Sequence, residues 1–129
     1  MADKIILVDT SILIDLFRKT DKSNSKFITL ARNGYSFCIS AITAYEIYSG
    51  TTVNQIDFWQ RLLEKTPVLA FDQDVVKVAV DINNTLKRKR KQIELADLFI
   101  AATGIANNLP FATLNRKHFE RVEKLLIVD

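Results

Sequence analysis

Glycine occurs three times and proline twice in 129 residues. So few turn formers leave little room for long loops, a collagen-like repeat or a Gly/Ser linker. Cysteine occurs once, at Cys38 within YSFCIS. A lone thiol closes no intramolecular disulfide and completes no cysteine metal motif, so it reads as a small buried apolar residue in the reducing cytoplasm. No apolar run approaches the ~20 residues of a membrane span. The opening MADKIILVD is too short for a secretory leader and carries Asp3. Histidine also occurs once, as His118 beside Phe119, and reads as a surface residue rather than a general base. No repeat or low-complexity tract divides the chain, and its length suits one domain over residues 1–129.

What is present is mostly core. The apolar fraction of 48% lies at the upper end for a soluble domain, and the charged fraction of 26% is ordinary. Intrinsic disorder is excluded, and apolar surface is left over for a subunit interface. The net charge of +3 is mild. It is unevenly spread: LKRKRK sets Lys87, Arg88, Lys89, Arg90 and Lys91 in succession. Five adjacent like charges repel more than helix-end placement requires, which favours contact with the phosphates of a polyanion such as a nucleic acid.

Hydrophobic patterning predicts alternating strands and helices. KIILVD is apolar on both faces and reads as a short central parallel strand. Thr10 or Ser11 then caps a helix through SILIDLFRK. NSKFITLARNG is a helix stopped by Gly34, YSFCIS a strand, and AITAYEIYSG a short helix. TVNQIDFWQRLLEK is amphipathic; Phe58 and Trp59 on it divide between the core and a homodimer interface. PVLAFD is the third strand. Asp72 caps a helix running through QDVVKVAVDINNTLKRKRK. ELADLFIAATGIANN is a helix apolar nearly all round, LPFAT a fourth strand, RKHFERV a helical turn, and LLIVD a candidate fifth, edge strand. This order implies an α/β fold: a parallel sheet with helices on both faces. Sites in such sheets lie at the carboxyl ends of strands where the strand order reverses. Asp9 ends the first strand, and Thr113 and Asn115 end the fourth. If those strands are neighbours, they share one crevice.

Most acidic residues suit a solvated surface, among them Asp21, Asp57, Glu64, Glu120 and Glu123. Asp72 and Asp74 suit helix starts, and Asp15 faces out from the first helix. Three others stand in apolar surroundings. Asp9 separates IILV from SILI, Glu46 lies in AITAYEIYSG, and Asp97 lies in ELADLFIAATG with Glu94 one turn earlier on its face. Burying an unpaired carboxylate is costly. Three carboxylates at element ends therefore suggest a shared site relieved by a hard divalent cation, Mg²⁺ or Mn²⁺, able to polarise a phosphodiester and activate water.

The stretches VDTSILIDLF, ISAITAYEIYSG, ELADLFIAATG and LPFATLNRKHFERV resemble the four motifs of PIN-domain ribonucleases, in particular the VapC-type toxins of toxin–antitoxin pairs. The resemblance spans nearly the whole chain in the right order. It implies a three-layer α/β/α sandwich with a central parallel sheet of four or five strands. It also implies Mg²⁺- or Mn²⁺-dependent cleavage of single-stranded RNA by metal-activated water, a homodimer and a cognate antitoxin over the crevice. Asp9 and Asp97 match the main metal ligands, and Glu46 the residue that binds a second metal or positions the attacking water. Thr10, Ser11 and Thr113 match the supporting hydroxyls. Asn115 departs from the acid that many members carry at the fourth position; it removes a charge from a second metal site, and Glu94 is the candidate substitute. Two other readings compete. One is a phosphoacceptor receiver domain with Asp72 as acceptor, disfavoured by the single acid ending the first strand and the lack of a lysine ending the last. The other is a catalytically silent PIN fold that only binds.

Overall fold

The computed structural model describes residues 4–129; residues 1–3, including Asp3 of the opening stretch, lie outside it. Strand β1 (Lys4–Val8) leads into helix α1 (Thr10–Arg18), followed by α2 (Lys26–Arg32), β2 (Tyr35–Ser40), α3 (Ala41–Gly50) and α4 (Ile56–Glu64). Then come β3 (Val68–Leu69), α5 (Gln73–Arg88), α6 (Leu95–Ala106), β4 (Phe111–Ala112) and α7 (Arg116–Phe119). All strand pairs are parallel, in the order β3-β2-β1-β4.

The apolar run of β1 works because a strand alternates faces. Ile6 and Val8 enter one core with Ile39, Leu30, Trp59 and Leu63. Leu7 enters the other with Cys38, Ala79, Leu98, Ala101 and Phe111. The first core carries α1, α2 and α4, and the second carries α5 and α6, giving the expected three layers. Burial pushes the Cys38 thiol up to about 11, so it is inert, as a packing residue should be. No helix among the described residues is long and apolar enough to cross a membrane.

The structure corrects several boundaries. Asp9 itself caps α1, through Ile12 N, in place of Thr10 or Ser11. The third and fourth strands shrink to two residues each. Pairing of β3 starts only after Pro67, whose carbonyl accepts from Ile39 N, and β2 gives way to α3 after Ser40. LLIVD contributes a single bridge, Ile127 to Phe111, rather than a strand. Helix α5 ends at Arg88, so Lys89, Arg90 and Lys91 lie beyond it. Trp59 is buried and Phe58 packs edge-on against it and Phe17. Trp59 thus serves the core, while Phe58 remains half-buried beside it.

Candidate active site

The strand order reverses between β1 and β4: from β1 the chain builds β2 and β3 to one side, then returns to lay β4 on the other. Leu7 pairs with Phe111 and Val8 with Ala112, so the carboxyl ends of the two strands meet. A crevice of about 620 Å³ opens there, lined among others by Asp9, Glu46, Asp97 and Asn115. Each of these side chains comes from a different element or junction.

Asp9 is 3% exposed and is held from both sides. Its Oδ1 accepts from Ser11 Oγ at 2.6 Å and from Ile12 N at 3.4 Å, and its Oδ2 accepts from Thr113 Oγ1 at 2.6 Å. Those hydroxyls are themselves polarised: Leu114 N donates to Ser11 Oγ and Asn115 N to Thr113 Oγ1, each at 2.9 Å. Burial raises the Asp9 carboxyl above its ordinary range; the hydrogen bonds oppose this, and the nearby Asp97 charge adds to it. Each Asp9 oxygen keeps acceptor capacity beyond these bonds.

Glu46, on α3, accepts from Thr10 Oγ1 at 2.6 Å through Oε1. Thr10 Oγ1 lies 3.2 Å from Thr43 Oγ1, which lies 3.3 Å from Ser40 Oγ. One hydroxyl carries one proton. With the Thr10 proton on Glu46, Thr43 must donate to Thr10 and Ser40 to Thr43. Ser40 and Thr43 are fully buried, so a directed file of three hydroxyls ends on Glu46.

Asp97 stands in the first turn of α6. Burial raises its carboxyl; His118 opposes the rise, and Glu94 adds to it. The His118 Nδ1 lies 3.2 Å from Asp97 Oδ2. Asn115 is the N-cap residue of α7 but makes no side-chain cap bond, which leaves its amide for the crevice. Glu94 is exposed at the N-cap of α6; it does not line the crevice and acts on Asp97 by charge. Lys87 and Arg88 close α5, while Lys89 to Lys91 turn away behind α7.

Four residues outside the predicted set belong to the site. His118 touches Asp97. Asp15 lines the crevice with Arg18 and Lys19; instead of facing out, it accepts from Lys26 N at 3.0 Å and pairs with Lys19 at 3.5 Å. Period counting from Ser11 along α1 would have flagged Asp15 and Arg18 as one stripe; nothing local links His118 to Asp97, 21 residues away. Asp72 is the N-cap of α5, accepting from Val75 N at 3.1 Å. It follows β3, at the opposite edge of the sheet from β4, so Asp72 and Thr113 share no receiver-type site.

The donor set of the crevice is all oxygen and therefore hard, which fits Mg²⁺ or Mn²⁺. Among the described residues no three acidic, histidine or cysteine side chains converge tightly enough to enclose an ion. A cation held there would have one or two carboxylates as its protein ligands. The Asp97 charge is the smallest influence on Asp9, and the acid that acts on Asp97 is Glu94.

The chain is thus a parallel α/β/α sandwich with a carboxylate crevice at its switch point. Comparison with known proteins gives the family. The PIN domain pattern matches residues 6–125, and the chain belongs to the PIN-domain family. It is 35% identical over 123 residues to Ribonuclease VapC1 of Methanocaldococcus jannaschii, covering 92% of this chain and 82% of that protein. It is 30% identical to Ribonuclease VapC10 of Mycobacterium tuberculosis, covering 94% and 90%. Among solved structures, it matches a chain of VapBC-1 from nontypeable Haemophilus influenzae with a TM-score of 0.81 at 27% identity, over 97% of both chains. DNA-bound VapBC from Salmonella typhimurium shares the fold, with a TM-score of 0.84 at 23% identity over 99% and 98%.

Proposed function

We propose that this protein is a Mg²⁺- or Mn²⁺-dependent endoribonuclease that cleaves single-stranded RNA, acting as the toxin of a toxin–antitoxin pair. The observation that carries the reading is the meeting of Asp9, Glu46 and Asp97, from three separate elements, in one crevice at the β1/β4 switch point. The ribonuclease names of its relatives support the same reading.

Asp9 and Asp97 are the residues that would hold the cation, which would supply charge neutralisation at the scissile phosphate and a lowered water pKa. The chain's own groups do the rest. Ser11, Thr113 and Ile12 N fix Asp9 in one orientation, so no reorganisation is needed on substrate binding. Thr10 holds Oε1 of Glu46, leaving Oε2 to accept a proton from the attacking water. Asn115 offers an uncharged acceptor at the fourth corner. Arg18 and Lys19 at the rim meet phosphates flanking the scissile bond, and Lys89, Arg90 and Lys91 add phosphate contacts farther out. A segment of the antitoxin covers the crevice. The homodimer has its apolar surface at exposed Tyr45, Tyr48 and Val53 rather than at Phe58 and Trp59.

Labelled single-stranded RNA incubated with Mg²⁺ tests the reading. Wild type cleaves it, EDTA stops cleavage, and Asp9→Asn or Asp97→Asn abolishes it while the fold survives. The double variant loses no more than either single one, because both residues serve one ion. Intact RNA with folded wild type and saturating Mg²⁺ and Mn²⁺ would leave only a silent binding module.

A further inference from the structure

Behind α7 lies a second depression, of about 560 Å³, walled by Lys89, Arg90, Lys91, Lys117 and Arg121. Two acids, Glu120 and Glu123, share it, and Glu123 is taken up by Lys89 at 2.7 Å. Arg121 Nη1 donates to Gln92 O at 3.1 Å, pinning the far wall. Among the described residues Arg90, Lys91 and Lys117 have no ion-pair partner. The cleft flanks the acidic crevice across α7. Asn115 lines the crevice, Lys117 lines the cleft and His118 touches Asp97. Helix α7 has four residues, about 6 Å at 1.5 Å per residue.

The turn that builds this cleft is unusual in one residue. Helix α5 ends in a Schellman motif: Lys91 N donates to Leu86 O at 2.9 Å and Arg90 N to Lys87 O at 3.1 Å. The motif puts its central residue in the left-handed region, and that residue is Arg90, at φ 55. Helix α6 ends in the same motif with Asn108 at φ 55, and Gly34 follows α2 at φ 91. Glycine and asparagine adopt this conformation readily; a long side chain does so at a cost. At the helix end that walls the cleft, the chain carries the unfavourable residue, and it is a cation. Strained positions concentrate where function holds them.

We propose that the Arg90–Lys91–Lys117 cleft is a subsite for the RNA strand beyond the scissile bond, binding its phosphates as the strand leaves the crevice across α7. The proposal rests on the ribonuclease reading. Arg90 is then a trade of stability for binding, which gives the test two readouts of opposite sign. Arg90→Gly relaxes the left-handed turn and raises the melting temperature, yet weakens RNA binding. A purely structural Arg90 moves neither binding nor its salt dependence.

Binding is measured on an Asp97→Asn background, so that RNA stays intact, with labelled single strands of about 4 and about 16 nucleotides, the range that single-strand sites occupy. Arg90→Gly with Lys117→Gln lowers affinity for the long strand severalfold and leaves the short one unchanged. Its slope of log K against log salt falls by about 1.4, near 0.7 for each phosphate no longer neutralised. Arg61→Gln with Lys65→Gln, an equal charge loss on α4 and its C-cap across the sheet, changes neither. Equal weakening on both lengths, or a slope matching the α4 control, overturns the subsite. If the parent protein binds neither strand, the ribonuclease reading falls, and the subsite with it.

Discussion

At the scale of single residues, the site is a set of carboxylates aimed by hydroxyls. The Ser40–Thr43–Thr10 file makes a prediction that burial alone would not. Thr43→Val keeps the shape but removes the proton that Thr10 receives, and it leaves the Ser40 hydroxyl proton without an acceptor in a dry core. An unsatisfied buried group costs about 1–3 kcal/mol of stability. With its aiming partner loosened, Glu46 loses alignment, and kcat should fall about tenfold, near 1.4 kcal/mol of barrier, with KM unchanged. Thr43→Ser restores both. In a Glu46→Gln background the valine substitution should cost stability but no further activity; an equal activity loss in both backgrounds would mean that the file serves only the fold. The carboxylates were legible in the sequence because charge among apolar neighbours demands an explanation. Ser40 and Thr43 were not, since a hydroxyl at a helix start looks like an ordinary cap, and Ser40 does accept from Thr43 N at 3.0 Å. His118 escapes a local reading because its partner is set by how α7 folds back on α6.

At the scale of elements, the contact of α6 with the sheet fixes where Asp97 stands. Gly104 lies seven residues on from Asp97, on the same face of the helix. A Cβ there would meet Leu7 Cδ2 at 3.2 Å, Leu125 Cδ1 at 3.5 Å and Phe111 Cδ1 at 3.9 Å. Gly104→Ala adds about 1 kcal/mol of helix propensity and crowds a leucine methyl by a few tenths of an ångström, so the two effects nearly cancel. Gly104→Val overpacks the contact and should cost about 3 kcal/mol in urea unfolding. It should also lift α6 from β1, spreading Asp97 from Asp9, and reduce cleavage more than the stability loss explains. Wild-type cleavage in a folded Gly104→Val protein would show that this contact does not set the site. Helix identities and the two long strands could be read from periodicity, since each buries a distinct face. The lengths of β3 and β4 could not. A strand ends where its neighbour stops pairing, and the neighbour's turn into α3, or the loop after Ala112, is not written in the strand's own pattern.

At the scale of the whole molecule, folding and protons are linked through the crevice, and the proposed cation would join that linkage. The topology was legible in part: alternation implied the parallel sheet, and the switch-point rule joined Asp9 and Thr113 on condition that the first and fourth strands are neighbours, which the pairing of β1 with β4 supplies. The same crevice ties stability to pH. Asp9 and Asp97 both have raised carboxyl values in the folded state, chiefly from burial. Between the ordinary carboxylate range and those raised values the folded chain binds more protons than the unfolded one, so stability falls as pH rises. In EDTA the protein should therefore be most stable below about pH 4 with respect to these two groups, lose stability as pH climbs through their raised values, and level off above them. Asp21 and Glu123 are shifted down by Ser23 and Lys89 respectively and act with the opposite sign. Both are fully exposed, and measurement near 1 M salt, where the screening length is about 3 Å, suppresses the Lys89 attraction. Asp97→Asn should flatten the profile and melt higher than wild type at neutral pH in EDTA, by on the order of 1 kcal/mol, against the usual sign of a point substitution. Mg²⁺ at about 100 times its dissociation constant should then add about 2.7 kcal/mol to wild type and clearly less to the variant. A variant that melts below wild type by the same margin with and without Mg²⁺ would reduce Asp97 to a helix-start charge, and the shared cation site would fall with it.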